Sequence, residues 1–149
     1  MERYASELCS EIERRRQEIA DTLGFNTLYI GGGTPSVLPL SVLEHVVRTL
    51  GCGPFDEFTI EVNPEDIVER GPDYVRSLLA LGVDRVSMGV QSLDDGILRW
   101  MRRRHDAAGA RRAFRILRGA GVKNISVDLI FGFPSLPEAV LDSTLEEII

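Results

Sequence analysis

Polar chemistry in this sequence gathers at the ends of short apolar runs. Thr27-Leu-Tyr-Ile30 leads into three glycines, Gly31, Gly32 and Gly33, followed by Thr34. Phe58-Thr-Ile-Glu-Val62 carries Glu61, Arg85-Val-Ser-Met-Gly-Val-Gln91 ends on Gln91, and Asn124-Ile-Ser-Val-Asp-Leu-Ile130 contains Asp128. Glycine backbone has no Cβ, so it can turn sharply and lie against a ligand. Carboxylates and the glutamine amide accept hydrogen bonds from hydroxyl or ammonium groups. If the runs are parallel strands, these groups share one rim, the edge where parallel α/β sheets and barrels bind ligands.

Each position also has a plainer reading. Alternation along β-type residues 125–130 sets Asp128 opposite Ile125, Val127 and Leu129, and Glu61 opposite Ile60 and Val62. A carboxylate within a buried run needs a hydrogen-bonding ligand, an arginine or water, or else bonds to neighbouring backbone as a structural residue. Gln91 reads equally as a ligand contact or a loop cap. Between Arg99 and Arg118 lie eight arginines. Most of them belong to solvated helix faces, while one or two could point back to the strand ends and grip a carboxylate with two parallel N–H bonds. The glycine run is neither a Walker loop, since no Gly-Lys-Ser/Thr follows, nor a dinucleotide fingerprint, since the third glycine is missing. His45 has no partner at ligand spacing and reads as a surface residue.

The elements that would hold these groups follow from periodicity. Apolar residues at helical spacing predict a helix over 2–23, with Gly24 as its stop, and a second over 40–50. Asn63 reads as a helix cap with Pro64 at the first helical position of a short turn, and Gly71-Pro72 starts a further helix from Asp73 to Leu81. Ser92-Leu-Asp-Asp95 has the form of a capping box opening a helix through Trp100 and Met101. Asp106 caps a helix over 107–120 that Gly121 ends, and Ser135-Leu-Pro-Glu138 opens a last helix. With strands at 26–30, 58–62, 84–90 and 124–130, the order is a helix and then four strand-plus-helix units. Such alternation implies a parallel sheet with right-handed crossovers.

Composition narrows the class. The chain has 149 residues and 44% apolar content, the size of one ordinary globular domain. A net charge of −6 argues against a general nucleic-acid binder. No apolar stretch approaches membrane-spanning length and no signal-peptide pattern opens the chain, so a cytoplasmic protein is expected. The two cysteines, Cys9 and Cys52, match neither a metal spacing nor a disulfide framework and are expected to be free thiols.

Taken together, Gly-Gly-Gly-Thr-Pro-Ser (31–36), Glu-Val-Asn-Pro (61–64), Gly-Val-Gln-Ser (89–92), Arg-Arg-His-Asp (103–106) and Asp-Leu-Ile-Phe-Gly-Phe-Pro (128–134) resemble a known set. It is that of the radical S-adenosylmethionine (SAM) proteins of the oxygen-independent coproporphyrinogen III oxidase group, which includes haem chaperones of HemW type. The resemblance spans nearly the whole chain. It implies an α/β fold, a parallel-stranded partial (β/α)6 TIM-like barrel of the radical SAM type, here truncated to about four β/α units. It also implies that Gly32, Gly33, Thr34, Glu61, Gln91, Arg103 and Asp128 contact SAM. The family's chemistry needs a CxxxCxxC motif to hold a [4Fe–4S] cluster. This sequence lacks one, and where relatives usually carry Gly-Gln-Thr after Phe133-Pro134 it has Ser135-Leu-Pro137. Residues 1–149 are therefore expected to be an internal part of a radical SAM core, without the cluster-bearing first strand and the last strand. Alone it is expected to bind no cluster and turn over nothing.

For the intact protein, the resemblance implies reductive cleavage of SAM to a 5′-deoxyadenosyl radical and oxidative decarboxylation of coproporphyrinogen propionates, an oxidoreductase step of haem and porphyrin biosynthesis. Haem binding and transfer, as in HemW, is the alternative; a non-catalytic binding module is the further one. The expected partners are a porphyrinogen or haem, with no nucleic acid and no transmembrane segment. Open sheet edges would let the fragment self-associate.

Overall fold

The computed structural model describes residues 2–16, 18, 26–132 and 138–149. Four strands form one sheet in chain order: β1 (Thr27–Ile30), β2 (Glu57–Val62), β3 (Arg85–Gln91) and β4 (Asn124–Leu129). All three pairings are parallel. The helices are α1 (Glu2–Arg14), α2 (Leu40–Leu50), α3 (Pro64–Leu81), α4 (Asp95–Trp100), α5 (Ala107–Ala120) and α6 (Glu138–Ile148), with a single 3-10 turn at Pro35–Val37. The helix expected over 2–23 is seen through Arg14, and Gly24 lies outside the described residues, as does the 135–137 stretch expected to open α6.

Each strand sorts its side chains by alternation. Phe58, Ile60 and Val62 of β2 and Val86, Met88 and Val90 of β3 are buried on the face that the helices cover. There they meet Ile67, Val75 and Leu78 of α3, and Ala110, Ala113 and Leu117 of α5. The small α5 residues let its backbone come close to α3. Burying one large apolar side chain contributes roughly 1.5–3 kcal/mol, so this layer dominates the stability of the molecule. The opposite face is polar in every strand: Tyr29, then Glu57, Thr59 and Glu61, then Arg85 and Ser87, then Ser126 and Asp128.

Register carries that polar face across the sheet. Glu61 lies beside Ser87, and Gly89 lies beside Asp128. A register irregularity between Gly89 and Gln91 follows, and Gln91 takes a left-handed backbone with φ 68°.

The break expected at Gly71-Pro72 is present: α3 consists of two helical segments, one opened by Pro64 and one restarting after Gly71 (φ 73°, ψ −173°). Only glycine adopts that conformation without strain, and Pro72 restarts the helix where its missing N–H costs nothing. Two other local expectations are corrected. Asn63 stands at the N-cap of α3 but makes no side-chain cap bond. The cap of α4 is Asp94, whose carboxylate accepts from the Ile97 N–H, while Ser92 accepts from the Asp94 N–H one step earlier. The two-residue spacing lets Ser92 form a turn of its own before the helix begins. Asp106 caps α5 as expected, accepting from the Gly109 N–H.

Candidate functional site

The strand ends open onto a polar crevice of about 220 Å³. That is below the roughly 300–1,000 Å³ of a closed pocket for a drug-sized ligand, so it suits one polar end of such a molecule, with the rest on the open concave face. Gly33, Thr34, Glu61, Gln91, Arg103 and Asp128 all line it. Gly32 sits at its lip and donates its N–H to Glu61 Oε2 at 2.9 Å. All seven residues singled out from the sequence thus converge, from β1, β2, β3, β4 and the segment between α4 and α5. A larger hollow of about 410 Å³ lies on the helix side of the sheet, against Met88, Phe114, Ile125, Val127 and Ile148. Apart from its arginine and glutamate rim it is apolar, and none of these seven residues lines it.

The glycine turn is set by its neighbours. A Cβ on Gly31 would sit 2.5 Å from Tyr29 Cε1 and 2.8 Å from Glu61 Oε1. Gly32 and Gly33 have φ values of 79° and 60°, and the space beside each is open. Glu61 accepts from the Tyr29 hydroxyl at 2.7 Å as well as from Gly32, so its carboxylate ties the turn to the sheet. Each oxygen keeps a lone pair for a ligand. The same hydrogen bond, more than burial, holds the Tyr29 phenol above its ordinary value.

Arg103 reaches in from the opposite wall. Its Nη2 donates to the Gly89 carbonyl at 2.9 Å and to Asn63 Oδ1 at 3.1 Å. Its Nε is buried and has no hydrogen-bond partner among the described residues. Such a donor is costly to leave unmet. Gly89 completes the wall, since a Cβ there would lie 2.8 Å from Gln91 Nε2 and 3.5 Å from Arg103 Nη2.

Asp128 is exposed, contrary to the buried setting expected for it. It accepts from the Ser87 hydroxyl, at 3.1 and 3.3 Å to its two oxygens. Because β4 is an edge strand and the concave face is open, the carboxylate keeps its water and the expected desolvation cost does not arise.

Sequence reasoning missed three members of the site. Asn63, read as a cap, joins Arg103 to Thr34, donating to Thr34 Oγ1 at 3.4 Å. Ser87 and Tyr29 hold the two carboxylates. Alternation alone puts all three on the same face as Glu61 and Asp128, and that was the available signal.

The residues fit one ligand chemistry and fail to fit another. The Arg103 guanidinium, open glycine backbone and two carboxylates can take a molecule that has both a carboxylate and cationic or hydroxyl groups. A [4Fe–4S] cluster needs three thiolates here. The chain has two cysteines, one buried in α1 and one exposed in the loop after α2. Among the described residues no group of three or more His, Cys, Asp or Glu is placed to hold a metal ion. Nor is any described helix long and apolar enough to cross a membrane.

Comparison with known proteins gives the same grouping. Residues 2–148 match the Radical SAM superfamily. The chain is 37% identical over 123 residues to the heme chaperone HemW of Escherichia coli, covering 78% of this chain and 32% of that one. It is 29% identical over 135 residues to the oxygen-independent coproporphyrinogen III oxidase of Paracoccus denitrificans, covering 88% and 29%. Among solved structures, the coproporphyrinogen III oxidase HemN of Escherichia coli, described as a radical SAM enzyme, aligns with a TM-score of 0.78 at 26% identity, over 97% of this chain and 34% of that one. The chain therefore spans about a third of the length of the relatives it matches.

Proposed function

The chain belongs to the radical SAM superfamily, and from that premise we propose that its crevice holds the amino-acid end and part of the ribose of S-adenosylmethionine. The Arg103 guanidinium, which lines the crevice together with open glycine backbone and two carboxylates, carries the reading. It would take the ligand's carboxylate, while the backbone at Gly32 and Gly33 approaches the amino-acid end. Glu61 and Asp128 accept from the ammonium and the ribose hydroxyls, and Gln91 adds an amide at the rim. The charges agree: two carboxylates against one guanidinium leave the crevice net negative, and SAM is a zwitterion with an added sulfonium cation. When bound, SAM supplies a carbon–sulfur bond open to reductive cleavage. The residues of this chain bind and orient it.

For the intact protein we assign the activity of a radical SAM oxidoreductase acting on a porphyrinogen. A second reading, haem binding and transfer, is supported by the HemW relatives, at 29–37% identity against 26–29% for the oxidases. Assaying intact protein for coproporphyrinogen decarboxylation and for stoichiometric haem binding separates the two.

The binding reading is tested on this chain by titration calorimetry. SAM should bind saturably, and Arg103→Ala should weaken it about 10- to 100-fold, the loss expected for a charge-assisted hydrogen bond. Equal affinity in the variant, or no binding by the native chain, overturns the assignment. Reconstitution of the same chain with iron and sulfide should give no cluster absorption, and a stable [4Fe–4S] spectrum would refute its proposed inactivity.

A further inference from the structure

His105 lies outside the crevice, yet it touches both elements that shape it. Its side chain is 1% exposed, and that of Glu65 beside it 13%. Nδ1 is 2.9 Å from Glu65 Oε2, in the first turn of α3, and Nε2 is 3.1 Å from the Val90 carbonyl, near the end of β3. Both facing atoms are oxygens. Each contact needs a proton between nitrogen and oxygen, and a carbonyl has none to give. Opposite an ionised Glu65, a neutral imidazole has one proton for two contacts, so one ring nitrogen would meet an oxygen lone pair to lone pair. A second proton on the ring turns both into donors and sets an imidazolium against the Glu65 carboxylate, a charge-assisted pair.

The positions of those two oxygens give the pair its significance. Val90 immediately precedes Gln91, whose backbone is left-handed, and the Val90 carbonyl also accepts from the Ser92 N–H at 2.8 Å. Holding that carbonyl holds the turn that aims Gln91 at the crevice. On the other side, His105 is two residues beyond Arg103, in the segment that follows Arg102, itself left-handed with φ 55°. Arg103 is tied to Asn63 and Gly89, and Arg104 lies 3.8 Å from Asp66 and 3.5 Å from Glu69. Residues 103 and 105 are thus each fastened to the start of α3 and the tail of β3, residue 104 to α3 alone, and of the three only His105 is buried.

We propose that His105, protonated on both ring nitrogens and clamped between Glu65 and the Val90 carbonyl, is a positioning residue that fixes Arg103 and Gln91 for the ligand of the crevice. The part concerning SAM rests on the function assigned above, and the experiment keeps the two apart. Nitrogen-15 imidazole spectra of the intact chain should show protons on both His105 nitrogens; a bare ring nitrogen overturns the clamp. Without ligand, hydrogen exchange of the Arg103 guanidinium should be slow in the native chain and at least tenfold faster in His105→Ala, and an unchanged rate again overturns it. This readout stands whether or not SAM binds, so absence of SAM binding by the native chain refutes only the assigned ligand.

With SAM as probe, His105→Ala should bind about tenfold more weakly at temperatures where it remains folded, and the defect should shrink in an Arg103→Ala background to the part carried by Gln91, because His105 and Arg103 act together. Fully additive losses would overturn coupling through Arg103. Leu117→Ala, in the core and away from the crevice, should lower thermal stability with unchanged affinity. That contrast separates positioning from general loosening.

Discussion

A methyl group at Gly89 would displace the Gln91 amide on the wall of the crevice, and this makes it the sharpest single test of the site. The nearest obstacles, Gln91 Nε2 and Arg103 Nη2, are ends of flexible side chains. Gly89→Ala should therefore fold with a stability change within about 1 kcal/mol yet lose at least tenfold in SAM affinity by calorimetry. A Cβ at Gly31 meets the Tyr29 ring and the Glu61 carboxylate at once, so Gly31→Ala should disturb the hydrogen bond between them, readable as a Tyr29 phenol midpoint shifted back toward 10.0. Tyr29 provides a test by titration. Its hydrogen bond to Glu61 raises the phenol above 10.0, so this bond stabilises the fold fully below that value and is lost as pH climbs through the higher folded value. Phenolate absorbance, taken as a difference against Tyr29→Phe, should show a midpoint above 10.0 that falls back toward it in Glu61→Gln. Of these residues the sequence disclosed the glycines, the carboxylates and the glutamine, because each interrupts an apolar run. It did not disclose Tyr29, Ser87 or the true partner of Asn63, since their roles depend on strand register. No spacing along the chain encodes which residues become neighbours across strands.

At the level of elements, sequence signals and structure agree where the signal is local and part where tertiary contacts compete. Asp106 and Gly121 bound α5 as capping chemistry requires. Asp106→Ala should cost about 1 kcal/mol of stability, measured by urea unfolding, and leave the crevice's ligand affinity unchanged. Asn63 is the opposite case. A cap bond to its own helix would compete with bonds to Arg103 and Thr34, and the longer-range partners hold the side chain. The break in α3 is again a local signal that the structure follows. Gly71-Pro72 announces a helix start, and the backbone leaves the helical region at Gly71 before the second segment begins. Gly71→Ala, at a backbone conformation suited to glycine alone, should destabilise by about 1–3 kcal/mol. A smaller loss in thermal or urea unfolding would mean that the kink relaxes.

At the scale of the whole molecule, the four parallel strands among the described residues pair in chain order and leave β1 and β4 with one free edge each. Unpaired edges invite further strand pairing, so we expect the chain to self-associate reversibly. Sedimentation velocity should show the average mass rising with concentration, and a monomer at all concentrations would contradict it. The strand count and parallel order were readable from the alternation of elements. The exposure of Asp128 was not, because the pattern around it looks the same in a central strand as in an edge strand. The unbroken β1-β2-β3-β4 order has one more consequence. Every strand docks on the one made just before it, so a ribosome can deliver the sheet unit by unit, with no strand waiting for a partner still to be synthesised. Pulled from its C-terminus, such a molecule should peel in the reverse sequence, β4 first.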